Sequence, residues 1–193
     1  MQKVAIVGNI ASGKTAIKKF LVENDYKVLD TDVVTHKLQE LPSVISKIVE
    51  KFSGFDILEN DKISRVKLGK IVFSDKTARK KLESILHPLI RLEIDKFFLQ
   101  NNKENIVFVE IPLLFEANMA DLFNKIIFVK CDVQTQIKRL QMRNNLSKKE
   151  AQQRINSQMP QDCKIEKSDI IIDGSGTLEN LYLQLKNLSE KFN

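Results

Sequence analysis

Val4-Ala5-Ile6-Val7-Gly8-Asn9-Ile10-Ala11-Ser12-Gly13-Lys14-Thr15 decides how the rest of the chain is read. From Gly8 onward it fits G-x-x-x-x-G-K-[ST], and an apolar run that begins almost at the first residue leads into it. Glycines let such a backbone curl until its N–H groups point inward at a triphosphate. Lys14 then reaches the β and γ oxygens, and the Thr15 hydroxyl is an oxygen ligand for Mg2+. Behind the loop, Ile17, Phe20 and Leu21 share one helical face, so a helix opens with its positive end toward the anion. Strand, loop and helix stand in the required order. The expected nucleotide-binding stretch is therefore Gly8, Asn9, Ile10, Ala11, Ser12, Gly13, Lys14, Thr15 and Ala16, with Thr15 at the metal.

Apolar strand-like runs recur at residues 3–7, 26–30, 105–111, 125–131 and 170–173, with helical patterns between them. That alternation means an α/β fold, a three-layer sandwich with a mostly parallel five-stranded sheet. Asp32, Ser74 or Asp75, and Asp132 each precede a helix, Ser147-Lys148-Lys149-Glu150 is a capping box, and Thr177 begins a last helix carrying Leu178, Leu181, Leu185 and Leu188 on one face. Residues 33–102 are too long for a single crossover helix. They read as several helices, near 44–52, 64–73, 76–86 and 88–99, with Pro88 fixing the start of the last.

The chain has 193 residues, enough for one domain with a substantial core. No stretch has the apolar length of a membrane span and no leader peptide precedes the first strand, so a cytoplasmic location is expected. The net charge of +6 comes from lysines scattered along helices, such as Lys18-Lys19, Lys80-Lys81 and Lys148-Lys149, which read as solvated faces. A modest positive field also suits polyphosphate substrates. With neither a helix-turn-helix nor an aromatic RNA-binding signature, no nucleic-acid partner is expected. Cys131 and Cys163 are too isolated for a zinc site and read as reduced structural thiols. Met119, Met142 and Met159 read as packing residues.

The loop alone indicates a nucleotide without naming the reaction. A GTPase would carry Asn-Lys-x-Asp after a strand, whereas Asn124-Lys125-Ile126-Ile127 precedes one and lacks the aspartate. Motor and transport ATPases end an apolar strand in Asp; here Ile106-Val107-Phe108-Val109 ends in Glu110. That departure points to small-molecule kinases. Asp30-Thr31-Asp32 closes the second strand, and the expectation is that this strand end lies beside the loop. Phosphoryl transfer needs a carboxylate that orients the acceptor hydroxyl and takes its proton, the role assigned to Asp32; the competing reading is that Asp32 caps a helix. Arg139 and Arg143, four residues apart, share a helix face and are read either as phosphate clamps or as exposed surface charges.

Taken together, the loop, Asp30-Thr31-Asp32 with His36, Gly54, Arg65, Leu86-His87-Pro88-Leu89-Ile90, Pro112-Leu113-Leu114-Phe115-Glu116, Gln136-x-x-Arg139-x-x-x-Arg143, Gln158-Met159-Pro160 and Ser168-Asp169 resemble the dephospho-CoA kinase family. The resemblance runs from Val4 to about Leu185. It implies ATP as donor with Mg2+, and dephospho-CoA as acceptor at its ribose 3′-hydroxyl. Lys14, Asp32 and Arg139 become the expected catalytic residues, Arg143 joins the nucleotide site, and Asp32, His87 and Leu114 are expected to bind the acceptor. His87 also reads as a turn residue before Pro88. The implied organisation is a single domain over 1–193, with a core (1–32, 103–138, 166–193), a helical acceptor-binding insertion (33–102) and a lid (139–165). The lid has few large apolar residues and is expected to open at low cost. A monomer or weak homo-oligomer is expected. Asn9 and Ala11 stand where the family commonly has glycine, and Ala11 restricts the loop backbone.

Overall fold

The computed structural model describes residues 1–189; positions 190–193, the end of the expected core segment, lie outside them. In chain order the elements are β1 (Gln2–Gly8), α1 (Lys14–Glu23), β2 (Lys27–Asp30), α2 (Thr31–Leu38), α3 (Pro42–Lys51), β3 (Leu58–Glu59), β4 (Lys62–Ile63), α4 (Arg65–Ser74), α5 (Lys76–Gln100), β5 (Ile106–Glu110), β6 (Lys125–Lys130), α6 (Val133–Asn144), α7 (Lys148–Asn156), α8 (Gln161–Ile165), β7 (Ile170–Asp173) and α9 (Leu178–Ser189). Two compact units result: Met1–Leu29 with Phe98–Asn193, and Asp30–Phe97. No helix among the described residues is long and apolar enough to cross a membrane.

The first unit is built on a five-stranded parallel sheet in the order β2-β5-β1-β6-β7. Its inner strands β5, β1 and β6 are Val- and Ile-rich without alternation because both faces are covered: Val4 to Val7 are each fully buried, as are Val107 and Val109. On one face, Ile17 and Leu21 of α1 and Leu181 and Leu185 of α9 close over Val4, Ile6, Phe108, Ile127 and Val129. Phe20 and Tyr182 join these helices with ring centroids 5.3 Å apart. Leu178, expected on the same face, is exposed.

Parallel register sets Ile6 opposite Glu110, Gly8 opposite Val129 and Lys130 opposite Asp173, so the carboxyl ends of four strands lie along one edge. The chain visits β2 and β5 on one side of β1 and β6 and β7 on the other. The loop after β1 therefore sits at the switch point where ligands bind in open α/β sheets. β5 lies between β2 and β1 and puts Glu110 next to the loop-bearing strand.

The second unit is helical apart from the hairpin β3–β4, whose two-residue turn Asn60-Asp61 has both residues left-handed, at φ 50° and 59°. That is a type I′ turn, which matches the twist of the strands it joins. Two expectations are corrected in this unit. The cap of α2 is Asp30, whose Oδ1 accepts from the N–H groups of Asp32 (2.9 Å) and Val33 (3.2 Å), so the capping role read for Asp32 belongs to its neighbour. And Pro88 does not start a helix, because α5 runs through it. Its ring removes the N–H that would bond the Ser84 carbonyl. Both Pro88 and Ser84 are exposed, so water meets that carbonyl and the helix continues.

Replacing Pro88 by Ala restores the N–H and removes the clash, and is expected to stabilise the protein by about 1–3 kcal/mol. Urea unfolding checks this as a raised midpoint at unchanged slope. A lowered midpoint would overturn this reading of Pro88.

Candidate active site

The loop is closed by its own bonds. Ser12 N–H donates to the Asn9 carbonyl at 3.2 Å, and Ala16 and Ile17 donate to Gly13 as α1 begins. Gly13, the helix N-cap, sits at φ 111°, a conformation that glycine alone adopts without strain. No side chain caps α1 and its first turn holds no acidic residue, which leaves the N–H groups there for an anion. Lys14 Nζ donates to the carbonyls of Gly8 (2.8 Å) and Asn9 (3.2 Å), folded back along the loop. Thr15 is exposed.

α6 supplies a second cation. Asp132 caps it by accepting from Thr135 N–H at 2.8 Å, and the backbone and side-chain hydrogen bonds from Thr135 hold its carboxyl below the usual range. From this start, Arg139 reaches back to the loop. Its Nη1 donates to the Ala11 carbonyl at 3.1 Å and lies 3.5 Å from Cys131 Sγ. Burial pushes the Cys131 thiol up, with Arg139 opposing, so a neutral thiol faces the guanidinium. Arg143, one turn on, is exposed and donates to its neighbour Asn144 at 3.0 Å. The structure thus brings Arg139 to the loop and leaves Arg143 on the surface.

Beneath these groups a platform joins β6 to the turn after β7. Gly174 N–H donates to the Lys130 carbonyl (2.8 Å), Asp132 N–H to Ser175 Oγ (3.0 Å), and Ser175 N–H to Asp173 (2.9 Å), a bond that lowers the Asp173 carboxyl. Gln161 ties in α8 with two bonds to Cys131, one to its N–H and one to its carbonyl. Lys164 of α8, fully buried, lies 2.8 Å from Glu116 Oε1 in the segment after β5.

Leu114 in that segment is fully buried and packs the interior, while Leu113 beside it is exposed. Glu110 is buried at the end of β5, its Oε2 3.9 Å from Lys18 Nζ of α1. Of the other residues read from sequence, Met142 and Cys163 are exposed and so do not serve the core, whereas Met119 is buried.

In the second unit, Asp32 lies exposed in the first turn of α2, one turn before His36 on the same face. His36 Nε2 is 2.8 Å from Arg65 Nη1, so two motif residues without an assigned role form a contact. His87 is half-buried in α5, and burial holds its imidazole below the ordinary range against the opposing charge of Glu83.

Gly174 escaped the sequence reading. Nothing local distinguishes it; only the fold shows that a Cβ there would collide with the Ser12 carbonyl, two backbone segments 162 residues apart (174 − 12) in van der Waals contact. Gly174→Ala is expected to push the loop out of shape and weaken ADP binding by about tenfold or more, with a stability loss of about 1–3 kcal/mol from overpacking. Calorimetric titration with ADP alongside thermal unfolding checks both. Unchanged affinity would show that the loop does not depend on this contact.

The family model for dephospho-CoA kinase matches residues 2–180. The dephospho-CoA kinase of Oceanobacillus iheyensis is 38% identical over 196 aligned positions, covering 98% of this chain and 97% of its own. Among solved structures, TT1252 from Thermus thermophilus superposes with a TM-score of 0.86 at 28% identity, covering 100% of this chain and 98% of that one. A dephospho-CoA kinase from Campylobacter jejuni gives 0.73 at 31% identity, covering 99% and 97%. With the loop, the sheet order and this full-length likeness in agreement, the chain belongs to the dephospho-CoA kinase family.

Proposed function

We propose that this chain transfers the γ-phosphate of ATP to the ribose 3′-hydroxyl of dephospho-CoA, giving ADP and coenzyme A by direct in-line displacement. The observation that carries the reading is the loop itself. It is already curled, it opens an uncapped helix free of acidic residues in its first turn, and it holds Lys14 against its own carbonyls in a chain that the family model matches almost throughout. Lys14 exchanges those neutral oxygens for phosphate oxygens, which are stronger acceptors. Arg139, which donates to the neutral Ala11 carbonyl at 3.1 Å, adds a second positive charge in this reading as the γ-phosphoryl leaves ADP.

The exposed Thr15 hydroxyl fits Mg2+ brought in by the nucleotide, since that ion takes one or two protein oxygens and fills its remaining positions with phosphate and water. Held by Thr15, the ion would supply positive charge against the phosphates. Asp32 takes the proton of the acceptor hydroxyl. Asp30 caps α2, its Oδ1 accepting the N–H groups of Asp32 and Val33. Residues 139–165 act as the lid, covering the reacting groups once both substrates are bound. Two free cysteines suit a reducing compartment, and the cytoplasm is the proposed location.

The deciding experiment is a coupled ADP assay with dephospho-CoA as acceptor and the product identified by mass. Turnover with other alcohols and none with dephospho-CoA would overturn the acceptor assignment. Lys14→Ala is expected to lower kcat by about 10²-fold or more, the loss typical of removing one preorganised charge stabiliser. Retention of over about a tenth of wild-type kcat would contradict that role.

For the base, Asp32→Asn should leave ATP binding near wild type and cut kcat by about 10²-fold. The assignment passes to Asp30 if the Asp30→Asn enzyme is crippled and Asp32→Asn is nearly normal.

A further inference from the structure

Gln136 and Gln158 belong to the motif set but have no role in the chemistry above. In the structure they meet at one residue of the nucleotide loop. The Ile10 N–H donates to Gln158 Oε1 at 2.7 Å, and the Ile10 carbonyl accepts from Gln136 Nε2 at 2.7 Å. Gln136 comes from the first turns of α6 and is fully buried; Gln158 follows α7 and is half-buried. Flanking bonds run the same way, from Asn9 Nδ2 to the Met159 carbonyl at 3.3 Å and from Arg139 to the Ala11 carbonyl at 3.1 Å.

The residue next to this double bond is Ala11, held at φ 59°. An L-residue with a Cβ enters that left-handed region only at a cost, so an Ala loop left to itself would relax toward negative φ. A relaxed Ala11 would turn the N–H groups that follow it away from a common centre. Ile10 and Ala11 also pack against Ile137, Leu140, Ala151 and Ile155, which sets the side-chain positions but not the peptide orientation. The amides set the orientation, because one of them needs an N–H in a fixed direction and the other a carbonyl.

We propose that Gln136 and Gln158 are positioning residues that clamp the Ile10 backbone, keep Ala11 left-handed and so hold the nucleotide loop in its anion-binding shape before ATP arrives. This rests on the reading of the loop as the ATP site. Each amide acts through the loop backbone, so its loss weakens nucleotide binding, because ATP must then reshape the loop as it binds. Transfer from the fully bound complex continues.

The test uses the full chain and its Gln158→Met and Gln136→Met variants, which keep side-chain length but remove the amide, each with and without Ala11→Gly. ADP affinity is measured by calorimetry, and KM for each substrate and kcat are measured alongside. The expected result is ADP affinity lower by about tenfold in each Met variant, with KM for ATP rising in parallel and with KM for dephospho-CoA and kcat changed by less than about threefold. Adding Ala11→Gly to Gln158→Met should recover at least about threefold of the affinity, since Gly adopts the left-handed conformation freely. A merely structural amide would lower the melting temperature without that split between substrates and without rescue at position 11. If Gln136→Met fails to fold, Gln158→Met decides alone. ADP affinity of Gln158→Met within about twofold of wild type, or no rescue by Ala11→Gly, overturns the clamp; wild-type protein that binds no ADP overturns the nucleotide reading instead.

Discussion

The first turn of α1 carries N–H groups that the helix itself cannot bond, and neither a side-chain cap nor an acidic residue meets them. Leaving such donors for a ligand works only if the loop before them is fixed by something else. The surrounding architecture does that fixing. Gly13 supplies the left-handed cap, Gly174 allows the turn after β7 to press on the Ser12 carbonyl, and side chains of α6 and of the segment after α7 hold Ile10 and Ala11 from the other side. Each contact is modest. Together they fix the loop that precedes those N–H groups, the arrangement that lets electrostatic stabilisation act without reorganisation.

The same economy governs the cations. Arg139 rests on a backbone carbonyl and beside a neutral thiol, not on a carboxylate. A guanidinium paired with a buried carboxylate would have to break a charged bond before meeting phosphate, whereas exchanging a carbonyl for a phosphate oxygen is downhill. Burial of Cys131 keeps that neighbour protonated and so prevents a thiolate from competing for the arginine. The acids close by, Asp132 and Asp173, are engaged with backbone N–H groups of their own turns.

What could be read from sequence was what local chemistry specifies. The loop, the five strands of the sheet, the Asp132 cap, the Ser147–Glu150 capping box and the Thr177 cap all sit where their residue types require. Misreadings arose where tertiary surroundings overrode a local signal. Pro88 normally marks a helix start, but with its ring toward water α5 passes through it. Asp30 and Asp32 are both plausible caps, and only the strand end decides between them. Strand order is invisible locally, so β5 could not be foreseen between β2 and β1. Gly174 and the two glutamines acquire meaning only from residues more than a hundred positions away, which no periodicity or propensity records.

The small core formed by α6 and α7 changes how the proposed lid must work. Leu140 and Ala151 are fully buried there, Ile137 and Ile155 nearly so, and the loop residues Ile10 and Ala11 pack onto them. Detaching α7 would expose Ile155 and the small Ala151 together with the faces of Leu140 and Ile137 that pack on them, a cost of at least about 2–4 kcal/mol at ordinary burial values, with the Gln158 bond adding about 1 kcal/mol. Opening of the proposed lid by this route would therefore be rarer than the scarcity of large apolar residues suggested, with the open state populated at about one part in 10³. Because opening breaks the same packing and hydrogen bonds that shape the loop, nucleotide binding and α7 docking must favour each other by the same free energy. The proposed lid and the proposed phosphate site would then be one thermodynamic element, with Ile10 as its joint.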